Sequence, residues 1–157
     1  MKFLSPLDTR KYVKPGEFVL LAKFKVDFEI GDRAYRVIIP RGFITDFASV
    51  PKLVQLLPGF DVNGDSANAA VLHDYLYCCQ GHIIARDLAS GEPVLLRLTR
   101  DQCDALFFEG LIESKYSDAA ASVFYAGVRT GGWWYWGIRE SGIHHLYDFV
   151  PDSYFES

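Results

Sequence analysis

Apolar and charged residues alternate strictly from Phe24 to Ile30, with Phe24, Val26, Phe28 and Ile30 on one side and Lys25, Asp27 and Glu29 on the other. A period of two predicts a half-buried strand. Gly31-Asp32 supplies a two-residue turn, Ala34 to Ile39 returns as a second strand, and Pro40-Arg41-Gly42 closes it. The β-rich region as a whole is read over residues 15–45. Thr45-Asp46-Phe47-Ala48-Ser49-Val50-Pro51 then reads as a structured loop, because Asp, Ser and Pro favour turns bonded to their own backbone. Asp46 and Ser49 are expected to be buried there.

From residue 65 to 131 the pattern becomes helical. Asp65 or Ser66 can cap a helix that runs to about Gln80 and stops at Gly81. Ile83 to Leu98 reads as a small hairpin turning near Ser90-Gly91-Glu92-Pro93. Thr99 followed three residues later by Gln102 is a capping box, opening a helix to about Ser114. Ser117 caps a third helix, expected to end near Thr130. Gly131-Gly132-Trp133-Trp134-Tyr135-Trp136-Gly137 sets four aromatics between glycines, which either closes a core or forms an exposed anchor. An irregular aromatic-rich tail is expected over residues 132–157. The pattern predicts one α+β domain spanning 1–157: an N-terminal antiparallel β-hairpin region packed on a core of about three helices, with a small hairpin between the first two.

Composition narrows the class. A chain of 157 residues, 50% hydrophobic and 15% aromatic, can bury a core and is not of disordered type. No apolar run is long enough to span a bilayer, and Met1 to Leu21 lacks a signal-peptide core. A net charge of −4 argues against duplex nucleic acid as a partner. Cys78, Cys79 and Cys103 are too few for a disulfide framework and lack zinc-site spacing, so free thiols are expected, although a bridge between helices is geometrically open.

The candidate chemistry lies in His73-Asp74-Tyr75-Leu76-Tyr77. On a helix His73 and Tyr77 share a face at i,i+4, with Asp74 beside them. The helix that follows Thr99 can return antiparallel and bring Asp104 towards His73. A histidine oriented by one carboxylate, beside a second carboxylate free to hold a metal, is a small hydrolytic site. Two other readings use the same residues. In one, the His–Asp pair only ties helices together as a satisfied polar network. In the other, Asp46, His73, Asp74 and Asp104 ligate the metal of a phosphohydrolase or amidase, a set His82, His144 and His145 could in principle join.

Thr45 to Pro51, His73 to Tyr77, Arg100 with Cys103-Asp104-Ala105-Leu106-Phe107, and Val128-Arg129 with Gly131 resemble, in order and spacing, the bacteriophage and prophage family called domain of unknown function 1353. The resemblance implies a phage origin and a tail-, baseplate- or virion-associated role beside other phage structural proteins, or residence in the host cytoplasm before assembly. It draws Asp46, Ser49, Arg100 and Arg129 into a supporting set. More distantly, the helix pair is similar to the His-Asp-x-x-Tyr pattern of the phospholipase A2 superfamily. That resemblance implies His73 as general base, Asp74 as calcium-binding carboxylate, Tyr77 and Asp104 as groups steadying the histidine, and membrane lipid as substrate. Leu76 stands where secreted members carry cysteine. Pro58 to Gly64 is a candidate for the calcium loop without matching it closely.

Overall fold

A computed structural model describes residues 1–12, 15–47 and 66–140 of the chain, the side chains of 133–135 and 137–140 excepted. The alternating segment forms strand β4 (Phe24–Ile30), and its return forms β5 (Arg33–Ile39), one residue earlier than the sequence suggests. Ile30 pairs directly with Arg33 across Gly31-Asp32, and Gly31 takes φ +64, which glycine adopts at little cost. Phe24, Val26, Phe28, Tyr35, Val37 and Ile39 all point inward and are buried.

The hairpin between the first two helices forms β7 (His82–Asp87) and β8 (Pro93–Arg97), as the sequence predicts. Asp87 accepts hydrogen bonds from the Ala89 and Ser90 amides and so closes the turn. Less expected is where this hairpin goes. β7 pairs antiparallel with β5, so both hairpins belong to one five-stranded sheet in the order β1-β4-β5-β7-β8, with β1 (Lys2–Phe3) on the far edge. A second, three-stranded sheet joins β2 (Thr9–Lys11), β3 (Phe18–Leu20) and β6 (Ile44–Thr45).

Three helices complete the fold among the described residues, the first two contributing to the core beneath the sheet. Helix α1 (Ser66–Cys78) is buried on almost every side, with eleven of its residues in the interior. It is a central helix rather than an amphipathic surface one. Gln80 at φ +50 ends it: the Gln80 amide bonds the Tyr77 carbonyl and the Gly81 amide bonds that of Leu76. Gly81 has no room for a side chain, since a Cβ would lie 2.0 Å from the Leu98 carbonyl oxygen. Helix α2 (Arg100–Glu113) carries the expected capping box, Thr99 accepting from the Gln102 amide and the Gln102 side chain accepting from the Thr99 amide. At Gly110 the helix approaches Ala69 of α1 closely.

Helix α3 (Asp118–Glu140) corrects the sequence reading. It runs through Gly131-Gly132 and the aromatic cluster instead of stopping near Thr130, so residues 132–140 are helical and not part of an irregular tail. Tertiary packing overrides the helix-breaking tendency of the glycines, because Gly132 lies against Tyr77 and Trp136 packs on the same ring. Cys78 and Cys103 are buried, Cys79 is half-buried, and all three are free thiols. No helix among the described residues is long and apolar enough to cross a membrane.

Candidate functional site: a buried carboxylate shared by three helices

The site is built around Asp104, on the face of α2 that packs on α1. His73 and Tyr77 lie one turn apart on α1 and both reach it. His73 Nε2 is 2.8 Å from Asp104 Oδ1, and the Tyr77 hydroxyl donates to the same oxygen at 2.6 Å. Arg129 of α3 donates to Asp104 Oδ2 at 3.0 Å, and the Arg100 Nε, one turn away on α2, stands 3.5 Å from that oxygen. Arg129 also pairs with Asp101, and Arg100 donates to the Arg129 carbonyl at 2.8 Å. One carboxylate thus holds three helices together, and both His73 and Asp104 are 0% exposed.

Burial decides the protonation states. It pulls the His73 pKa below the usual imidazole value, outweighing the opposing hydrogen bond and charge of Asp104. For Asp104, burial pushes upward, but the hydrogen bonds from His73, Tyr77 and Arg129 outweigh it and hold the carboxyl below the usual range. Burial and the Asp104 contact push the Tyr77 phenol up, so it stays a donor. Burial and the nearby Asp104 charge raise the Cys103 thiol to about 12, which keeps it protonated and inert.

A neutral imidazole facing an ionised carboxylate must donate through Nε2–H, which leaves the lone pair on Nδ1. Nδ1 is buried and has no hydrogen-bond partner among the described residues. The ring itself is held tightly, 4.2 Å from Tyr77 and 5.0 Å from Phe107 between centroids. Arranged this way, the histidine can accept a proton at Nδ1 while Asp104 fixes its tautomer and stabilises the resulting cation.

Asp74 takes no part in this network. One residue along α1 from His73, it turns towards β6, where it accepts from the Thr45 hydroxyl. The same hydroxyl accepts from the Phe47 amide at 3.2 Å, tying β6 to α1. Asp46 corrects the sequence expectation, because it is exposed rather than buried. Thr45 and Phe47 are buried on either side of it, and Thr45 rather than Asp46 is the polar partner of the helix. Ser49, His144, His145 and the calcium-loop candidate at Pro58 to Gly64 lie outside the described residues. His82 is exposed at the start of β7.

Calcium wants six to eight oxygen ligands. Among the described residues no group of three or more His, Cys, Asp or Glu side chains converges on one point. Asp74 is engaged with Thr45, and Asp46 is exposed. The calcium-loop candidate, whose backbone carbonyls would complete such a set, lies outside the described residues. A groove lined by Met1, Phe108, Glu109, Ile112, Glu113 and Asp118 contains none of the network residues.

Sequence reasoning brought together His73, Tyr77, Asp104, Arg100 and Arg129. It missed Thr45 as the Asp74 partner, and Gly132 and Trp136 as the wall behind Tyr77. The i,i+3,i+7 spacing of Arg129, Gly132 and Trp136 is the available signal, and it counts only once the helix is carried past Thr130.

Compared with known proteins, the chain matches a family model described as "Protein of unknown function (DUF1353)" over residues 18–128. Neither a curated protein nor a solved structure matches it.

Proposed function

Because this chain belongs to the DUF1353 family, whose description assigns no activity, we propose its function from the site: a phage-encoded, tail- or virion-associated ester hydrolase of phospholipase A2 type. His73 is its general base and Asp104 the group that orients it. The observation that carries this reading is His73 Nδ1, a buried nitrogen without a hydrogen-bond partner among the described residues, on an imidazole held neutral. Buried polar atoms are nearly always paired, so an unpaired one in this position asks for a role. In the proposed step Nδ1 takes a proton from water, and the water oxygen attacks the ester carbonyl. When the carbon–oxygen bond breaks, the same proton passes from Nδ1 to the departing alkoxide. Asp104, with Arg129 behind it, stabilises the transient imidazolium throughout.

The complete burial of His73 and Asp104 favours a second reading, in which the network only joins the helices of a structural protein. Fatty-acid release from phospholipid vesicles, measured across a calcium series on free and particle-assembled protein, separates the two. For the hydrolase, His73→Gln lowers the rate by about 10²- to 10⁴-fold with the fold retained. Wild-type protein inert in every form would leave the structural reading standing.

A further inference from the structure

The five-stranded sheet ends on β8, and no strand lies beyond it among the described residues. The Leu98 amide bonds the Gly81 carbonyl, and the Asp87 amide bonds that of Glu92. These two bonds fix the phase of the β7–β8 ladder. Val94 and Leu96 direct their main-chain groups at β7, while Pro93, Leu95 and Arg97 direct theirs outward. The same three residues are the exposed ones on this strand.

An apolar row runs across the outer face of the sheet to this edge. Ile84 pairs with Leu95, and the β5–β7 register carried one pair further sets Ile38 beside Ile84. Their exposures are 44% for Ile38, 72% for Ile84 and 58% for Leu95, so the row faces outward as far as the last strand.

We propose that β8 pairs antiparallel with β8 of a second copy of this chain, across a two-fold axis at Leu95. In that register the outward groups match. Leu95 exchanges both main-chain bonds with Leu95 of the partner subunit, and the Arg97 amide meets the carbonyl of Pro93 of the partner subunit. Pro93 has no N–H to offer, so its carbonyl alone is used. Shifting the pairing until Leu95 meets the proline loses the symmetric exchange, so that shift is disfavoured against the Leu95 axis. No like charges face each other directly, because the central Val94-Leu95-Leu96 is uncharged and Arg97 sits opposite proline. The two apolar rows meet at the Leu95 pair, and two five-stranded sheets join into one of about ten strands, within the range that twisted sheets reach. This interface is independent of the activity proposed above.

Sedimentation velocity over a concentration series into the hundreds of micromolar tests it. Wild-type protein is expected to pass from monomer to dimer. Leu95→Lys, which sets like charges opposite each other at the axis, should weaken the dimer about tenfold or more at an unchanged melting temperature. Under mild oxidation Leu95→Cys should yield a disulfide-linked dimer. Ile84→Cys, more exposed still but one strand in from the edge, should not. A wild type that stays monomeric would overturn the proposal, whether the edge is covered by the chain's own residues or serves a strand from another protein. So would a Leu95→Lys dimer of wild-type strength, or equal crosslinking at positions 84 and 95.

Discussion

A buried carboxylate is tolerable only when its lone pairs are occupied, and Asp104 receives donors from His73, Tyr77 and Arg129. Its neighbour His73 has the opposite electrostatic problem, since burial resists its protonation. The folded-state pKa of His73 lies below the unfolded value, so the unfolded chain binds the proton first as the pH falls. Stability from this group is fully present above pH ~6.5 and declines below it by at most ~1.4 kcal/mol per pH unit, down to the folded pKa. Denaturant titrations between neutral and mildly acidic pH should show that slope, and His73→Gln should flatten it. An unaltered slope in the variant would place the titration elsewhere. His73, Tyr77 and Asp104 were legible in the sequence because a helix puts positions four apart on one face and a hairpin returns the next helix antiparallel. Asp74 was not, since a neighbour in sequence is turned about 100° around the helix axis and meets a different element.

Among the elements, α3 departs furthest from its sequence pattern. Glycine normally weakens a helix by about 1 kcal/mol relative to alanine, and two in succession look like an end. Here the missing side chain is what allows docking, because a Cβ on Gly132 would come within 2.6 Å of the Tyr77 hydroxyl. Gly132→Ala should therefore lower stability by about 1–3 kcal/mol despite its better helix propensity, by pushing Tyr77 off Asp104. A variant that melts higher than wild type would show that propensity, not the contact, dominates. The same logic explains why capping signals were read correctly at Thr99 but not at Gly131. A capping box is satisfied within four residues, whereas the continuation of α3 depends on Tyr77 and Trp136, more than fifty residues apart.

On the scale of the molecule, two apolar clusters of the described residues meet through α1. Ala70, Val71, Leu72 and Leu76 belong to the larger one beneath the sheet, while Ala69 joins Phe107, Leu111, Phe124 and Val128 in the smaller one between helices. Phe3 packs against both. With α1 common to both, the sheet and the helices should unfold together. Far-ultraviolet circular dichroism and intrinsic fluorescence are expected to give coincident thermal transitions, and Phe107→Ala should move both by the same amount. Separate midpoints would mean two independent units. The strand order was the part least visible in the sequence, since nothing in residues 82–97 announces that β7 sits beside β5 and not beside a helix alone.

Convergence of three helices on a single acceptor also shapes how such a sequence can change over time. Replacing Asp104 by a neutral residue strands a phenol and an imidazole at once and leaves the Arg129 guanidinium only its Asp101 partner, so no compensating substitution at any one of those positions restores the balance. Positions 73, 77, 104 and 129 are therefore bound into one heritable unit, open to replacement as a set and closed to stepwise drift, whichever chemistry the set serves.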